Sequence, residues 1–310
     1  MKETQRAAGG ADQRKAVRGS LLLLLGAMIW GAAFVAQRAG MDHLGAFTFS
    51  GIRMLLGGLV MIPVAAWTGR RQGQEKADPG TQRKAGLLCG LLLFAATSLQ
   101  QLGLVQTAAG KAGFITALYV VLVPVAGMLF FHTHQGRAVW LGVGLAVAAL
   151  FLLCVPAGGF EVEGGDLLLI GCAICFTGQI LGVDRYAARV NGAALARDEF
   201  LMTGALSMIL ALFLEPITWE GIRGALIPIL YTGIMSSAVG YTLQIIGQRD
   251  VNPTVASLLM CMESVFAVLT GALLLGERLT ARELAGCALM FLAVILAQTA
   301  PALRRKRPHG

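Results

Sequence analysis

Long apolar runs, separated by short polar segments, dominate the chain from Leu21 to its end. An α-helix rises about 1.5 Å per residue, so roughly 20 apolar residues cross the hydrocarbon core of a bilayer. The pattern predicts ten membrane-spanning helices. They are 20 to 38, 46 to 67, 86 to 106, 112 to 131, 138 to 156, 165 to 183, 199 to 214, 225 to 245, 255 to 275 and 284 to 301.

The composition supports an all-α integral membrane protein. Hydrophobic residues make up 56% of the 310 positions and charged residues only 14%, whereas soluble domains average about 25% charged residues. The net charge is +8, but the basic residues are scattered over loops instead of being clustered on a folded domain. We therefore expect no nucleic-acid partner.

The basic residues also predict the orientation, because Lys and Arg resist export and stay cytoplasmic. With the N-terminus inside, the inner segments carry 19 of the 25 Lys and Arg residues and the outer segments carry five. Both termini are thus predicted to be cytoplasmic, in a multi-pass protein of the plasma or inner membrane. The terminal tails are predicted at 1 to 19 and 302 to 310.

The chain repeats itself weakly at a shift of 144 residues. This shift lays SLQQLG (98 to 103) on TLQIIG (242 to 247), so that Gln100 matches Gln244. Further matched pairs are Gly127 with Gly271, Gly142 with Gly286, and Ala149 with Ala293. The shared register predicts that the two halves are related in structure.

Each half contains five predicted spans, and because five is odd the second half must enter the membrane from the opposite side. The prediction is an inverted repeat, with the first copy at 20 to 156 and the second at 165 to 301. Inverted repeats are typical of transporters that open a central site to each side in turn. Since the chain has no G-x-x-x-x-G-K-[ST] phosphate loop, we expect a secondary transporter.

The positions of the cysteines and histidines do not indicate a metal site, a cofactor site or a catalytic site. All six cysteines lie inside predicted spans, and the C-A-I-C string at 172 to 175 has no second pair and no neighbouring histidine. The four histidines, which a membrane enzyme would need close together, are not clustered: two share one short turn, one lies in another loop and one lies in the C-terminal tail. They are His43, His132, His134 and His309. We expect no metal and no cofactor.

Five short strings occur in a characteristic order and spacing: I-W-G-A-A-F (29 to 34), R-M-L-L (53 to 56), Y-T-L-Q-x-x-G-Q (241 to 248), M-E-S-V-F-A (262 to 267) and L-L-L-G-E-R-L (273 to 279). Together they resemble the EamA-type branch of the drug/metabolite transporter superfamily. The resemblance implies ten helices in two EamA repeats, and the export or import of amino acids, other metabolites, nucleobases or drugs. The Glu-Pro pair usual in this family is Glu263 and Ser264 here.

Candidate substrate-binding residues are the polar and aromatic groups inside spans, because a charge at the centre of a span costs about 2.5 to 3.5 kcal/mol and tends to face a cavity. Arg53 and Glu263 are the charges identified well inside spans. The full set is Trp30, Gln37, Arg53, Gln100, Tyr119, Tyr241, Gln244 and Glu263. Purely structural roles remain as alternatives, since the glutamines can form hydrogen bonds between helices and Arg53 can bind carbonyl groups.

Glu263 lies too deep for its short side chain to reach the membrane surface. Two interpretations remain open: it pairs with Arg53, or it titrates and carries a proton or binds a substrate amine. Its counterpart in the first half, at the 144-residue shift, is Tyr119. The two halves are therefore not expected to share identical chemistry.

The predicted function is secondary transport of a small metabolite, such as an amino acid or a drug-like compound, with export as the expected direction. The expected partners are this substrate, the bilayer and a coupling proton or cation. The alternatives are a phosphate-ester or nucleotide-sugar antiporter of the same superfamily, which would need several cations in its cavity, and a membrane-embedded enzyme. The sequence leaves the oligomeric state open.

Overall fold

The computed structural model describes residues 2–71, 78–106, 109–155, 164–275 and 279–305. These residues form fourteen α-helices and one π-helix, and they contain no β-strand. The first half comprises α1 (Lys2–Met41), α2 (Ala46–Arg71), α3 (Pro79–Gln106), α4 (Ala109–Ala117), α5 (Tyr119–Phe131) and α6 (Arg137–Cys154). Parts of the predicted breaks, at 72–77, 156–163 and 276–278, and residues 306–310 of the predicted tail lie outside the described residues.

The second half begins at α7 (Gly165–Ala187). It continues with α8 (Gly192–Leu214), α9 (Trp219–Gly224), α10 (Leu226–Leu230), the π-helix Tyr231–Tyr241, α11 (Thr242–Gln248), α12 (Pro253–Met260), α13 (Met262–Leu275) and α14 (Ala281–Arg305). The structure is thus an all-α membrane protein, as predicted. Helix α1 begins at Lys2, so the predicted cytoplasmic tail at 1 to 19 is helical from this residue onwards.

Nine helical segments of the described chain are long and apolar enough to span a bilayer. They coincide with nine of the ten predicted spans. The remaining one, 199 to 214, is part of α8, which begins seven residues earlier than predicted, at Gly192. The second and third turns of α8 carry Arg197, Asp198 and Glu199. Because of these three charges, α8 is less apolar than the nine segments.

Two spans are broken at nearly the same place in the two repeats, one residue apart at the 144-residue shift. Leu118 separates α4 from α5, and Cys261 separates α12 from α13. At both breaks the backbone tightens: the N–H of Leu118 donates to Ile115 at 3.2 Å, and the N–H of Ser264 donates to Cys261 at 3.2 Å. These three-residue spacings replace the four-residue spacing of an α-helix.

The two repeats pack against each other, since the most extensive helix pairings all join one half to the other. They are α2 with α8, α6 with α14, α3 with α7, and α1 with α13. In the α6–α14 pair, a Cβ on Gly142 would lie 3.0 Å from the carbonyl oxygen of Ala293, and one on Gly286 would lie 3.1 Å from that of Ala149. This reciprocal contact joins residues that the 144-residue shift pairs, and it fits a two-fold relation between the repeats.

Candidate functional site

A central cavity of about 70 Å³ lies where helices of both repeats converge. The lining residues are Trp30 and Gln37 of α1, Arg53 of α2, Gln100 of α3, Thr116 of α4, Tyr119 of α5, Phe176, Gln179 and Ile180 of α7, Ser236 and Tyr241 of the π-helix, Gln244 of α11, Met260 of α12 and Glu263 of α13.

All eight residues singled out from the sequence line this one cavity. They come from seven different helices, and the farthest apart in sequence, Trp30 and Glu263, lie on α1 and α13, which pack together. Gln100 and Gln244, matched by the 144-residue shift, both reach the cavity. The eight residues therefore lie around one cavity. The role of each in binding a substrate stays a prediction.

The helix break before α13 places Glu263 in the first turn of that helix, where its side chain is partly exposed towards the cavity. Helix N-termini favour negatively charged side chains, because their backbone N–H groups lack partners within the helix. Glycine at position 31 allows α1 to approach closely here: a Cβ on Gly31 would lie only 2.6 Å from the carbonyl oxygen of Glu263.

Arg53 is 97% buried on α2, and its guanidinium carbon lies 5.7 Å from the centre of the Phe49 ring. Its Nε atom has no hydrogen-bond partner. Among the described residues, no ion pair within 4.0 Å joins Arg53 to Glu263. In this conformation the two charges therefore line the same cavity without being paired to each other.

Aromatic rings form much of the cavity wall. Trp30 and Tyr241 are in edge-to-face contact at 4.9 Å between ring centres, and Tyr119 and Phe176 are in a similar contact at 6.4 Å. The indole N–H of Trp30 donates to the backbone carbonyl of Ser236 at 3.0 Å, so the ring is fixed against the π-helix. Such π-helical segments often occur at functional sites.

Glutamine side chains connect the cavity wall to the surrounding helices. Gln101 donates to Gln37 at 3.1 Å. On the opposite side Gln244 donates to both Gln179, at 3.2 Å, and Gln248, at 3.1 Å. These bonds support the bridging interpretation for several glutamines, and Gln37, Gln179 and Gln244 serve both as bridges and as lining residues.

Other lining residues were not selected from the sequence. Thr116, Phe176, Ile180, Ser236 and Met260 are uncharged, and such residues occur throughout membrane helices, so nothing in the sequence marks them. Gln179 lies inside a predicted span and so was identifiable as a candidate from the sequence, but it was not among the eight residues selected.

One buried charge was missed because its helix begins earlier than predicted. Glu199 has no exposed surface, although the sequence pattern placed it at the edge of a span.

The six cysteines are free thiols, and no group of three or more metal-ligating side chains occurs in the part of the chain that the structure describes.

Comparison with known proteins agrees with this architecture. A model of the EamA-like transporter family matches residues 17–155 and again residues 163–299. A solved crystal structure resembles this chain with a TM-score of 0.79 over 93% of this chain and 99% of the other, at 19% sequence identity. At that identity the likeness concerns the fold alone.

Curated relatives are similar along most of their length. An uncharacterized transporter of Archaeoglobus fulgidus is 29% identical over 288 residues, which is 93% of this chain and 88% of the relative. The uncharacterized transporter YwfM of Bacillus subtilis is 26% identical, covering 91% of this chain and 94% of that protein. The uncharacterized inner membrane transporter YedA of Escherichia coli is also 26% identical, covering 89% and 90%.

Proposed function

Because the chain belongs to the EamA-like transporter family, we propose that it is a secondary transporter for a small zwitterionic metabolite of the amino-acid type. Substrate would bind in the central cavity, which opens to each side of the membrane in turn. Inverted repeats support this mechanism, since each repeat can adopt the conformation of the other and so exchange the side that is open.

The observation that carries the substrate class is the unpaired state of Arg53 and Glu263 in one cavity. A guanidinium group binds a carboxylate through two parallel N–H donors, and a carboxylate accepts from an ammonium group. A solute that brings one group of each sign would satisfy both residues at once. Trp30 and Tyr119 then offer apolar and aromatic surface for the rest of the solute.

A phosphate-ester substrate is less compatible with the cavity. Phosphate recognition generally uses several basic groups or a bidentate arginine cluster. Arg53 is the only basic residue that lines the cavity among the described residues. Glu263 in the same cavity would repel a phosphate dianion.

We further propose that α8 is the tenth span, that both termini are cytoplasmic, and that the protein exports its substrate across the cell membrane with a coupling proton or cation. The distribution of the basic residues supports the orientation. For α8, support comes from its 23 residues, about 35 Å of helix, and from its packing along α2.

Purified full-length protein in proteoliposomes tests this function. Radiolabelled amino acids, supplied singly, should accumulate and should exchange with unlabelled solute in counterflow. Amino-acid amides, which lack the carboxylate, should inhibit uptake of the labelled amino acid by wild type only weakly. In Arg53→Gln this preference for the carboxylate should be lost. Conversion of the label to a new compound would instead indicate an enzyme, and exchange of phosphate esters alone would indicate the antiporter.

A further inference from the structure

Glu199 is a buried carboxyl group outside the central cavity. It lies seven residues, or about 10 Å, along α8 from Gly192 and has no exposed surface. Its Oε2 atom accepts from the side-chain amide of Gln179 at 3.3 Å, while Oε1 has no hydrogen-bond partner. No cation lies within 4.0 Å of it among the described residues. Burying a carboxylate with so few partners is costly.

The groups around Glu199 do not supply the missing positive charge. The thiol of Cys89 on α3 lies close enough to hydrogen-bond with Glu199, Tyr241 approaches from the π-helix, and Asp198 precedes it on α8 itself. Asp198 is in turn paired with Arg197 at 2.6 Å. Helices α2 and α11, which also pack on α8, bring no charged group to Glu199 in the described structure. Taking up a proton is therefore the simplest way to neutralise this side chain.

Glu199 is connected to the cavity through two side chains. Gln179 donates to Glu199, and the carbonyl oxygen of the same Gln179 amide accepts from Gln244 at 3.2 Å. Both glutamines line the cavity, whereas Glu199 does not. A single carboxyl group thus lies one hydrogen bond behind the cavity wall.

We propose that Glu199 is a proton-binding site that determines which hydrogen-bonding face Gln179 and Gln244 present to the cavity. An ionised carboxylate only accepts hydrogen bonds, so Gln179 must turn its NH₂ group towards it. A protonated carboxyl group donates through its O–H, and it is satisfied when the Gln179 amide rotates and offers its carbonyl oxygen. The added proton stays on Glu199 throughout.

Rotation of Gln179 is passed on to Gln244. Once the NH₂ group of Gln179 faces Gln244, that side chain must present its carbonyl oxygen, and it can then no longer donate to Gln248. Two amides in the cavity wall would therefore exchange donor for acceptor, although the solute never touches Glu199. Since Glu199 is fully buried in this conformation, its proton can exchange with water only when the helices move, which ties protonation to the transport cycle.

Infrared difference spectroscopy on the full-length protein in lipid tests the proton site without any substrate. The protein would carry glutamine labelled with ¹³C at the side-chain carbonyl, and spectra would be compared across a pH titration. We expect a protonated-carboxyl band that is lost in Glu199→Gln and a shift of the labelled glutamine band with the same midpoint. Asp198→Asn, which changes the neighbouring carboxylate, should retain both signals.

Gln179→Leu separates the two parts of the proposal, because it should retain the Glu199 carboxyl band and reduce the labelled glutamine shift. The proposal is overturned if Glu199→Gln and wild type titrate identically, or if Glu199 titrates while the glutamine band does not move. If the variants fail to fold, a labelled glutamine band that does not shift with pH in wild type overturns the proposal.

Transport measurements then test the consequence, which rests on the proposed function. With the radiolabelled amino acid that accumulates best, the KM of wild type should change at least several-fold with pH, whereas the KM of Glu199→Gln should not change. Coupled infrared bands in a protein that accumulates no amino acid would support the proton site and refute the proposed substrate class.

Discussion

The thiol of Cys261 donates to the carbonyl oxygen of Ala117 at 3.7 Å, across a separation of 144 residues. Both residues lie at the helix breaks, and the 144-residue shift pairs them with each other. The carbonyl of Ala117 is available because the N–H of Val121 donates to Leu118 instead, at 2.9 Å. Two positions further along each chain segment are Tyr119 and Glu263, which line the cavity. The breaks therefore bring corresponding but chemically different residues to one central site.

Glu263 is expected to be essential for transport. In Glu263→Gln the side chain keeps its size but loses the negative charge that would bind the substrate amine. A hydrogen bond to a charged group contributes about 1.5 to 3 kcal/mol, so apparent affinity should fall about ten- to hundredfold. Uptake normalised to membrane abundance measures this, with the exposed Glu220→Gln as control. Undiminished uptake by Glu263→Gln would contradict this role.

Gln100 and Gln244 are expected to be accessible from water through one cavity. In a background from which the six native cysteines are removed, Gln100→Cys and Gln244→Cys should react with hydrophilic thiol reagents, and substrate should slow both reactions. Ile174, which is 57% exposed on the outer surface of α7, provides a lipid-facing control: Ile174→Cys should react poorly. Inertness of both cavity positions to every reagent would exclude this arrangement.

Gly31 is expected to tolerate no side chain. A Cβ at this position would lie 2.6 Å from the carbonyl oxygen of Glu263 and 2.7 Å from the backbone nitrogen of Ala267, so Gly31→Ala must push α13 away from α1. Such a shift moves Glu263 and should lower uptake about tenfold or more, since small displacements at a site are costly. Gly26→Ala on the same helix meets its nearest neighbour at 3.4 Å and should transport normally; equal effects of the two would argue against this explanation.

Glu215 is expected to stabilise the contact between the two repeats. From the end of α8 its carboxylate accepts from the backbone N–H groups of Phe47 and Thr48, at 2.8 and 2.7 Å, and from the Thr48 hydroxyl at 2.7 Å. It thus caps the start of α2 from another helix. Glu215→Ala should lower the free energy of unfolding by about 1 to 3 kcal/mol, measured by unfolding in detergent.

The exposed Glu220 offers the matched control for this effect. Glu220→Ala removes a carboxylate from the same connecting region and should change stability by less than about 0.5 kcal/mol, as surface substitutions usually do. If both variants unfold alike, the cap contributes nothing.

The polar residues of the candidate site could be predicted from the sequence, because the cost of placing them in a membrane span depends only on the residue itself. A charge or amide inside an apolar span is costly whatever surrounds it, so Arg53, Glu263 and Gln244 could be selected without coordinates. Phe176 and Met260 could not, because an apolar residue in a span carries no such cost. Glu199 was missed for a different reason: its helix extends further towards the N-terminus than its apolar run does.

By itself the sequence determined the helical class, nine of the spans, the two-repeat organisation and the set of eight cavity residues. These depend on residue-by-residue transfer from water to lipid and on spacing along the chain, which are local properties. Only the tertiary structure decided that Arg53 and Glu263 remain unpaired, that the two helix breaks meet through Ala117 and Cys261, and that Glu199 lies behind the cavity wall. These relations depend on which faces of distant helices pack together, and packing is decided by the shape and volume of side chains from both repeats at once.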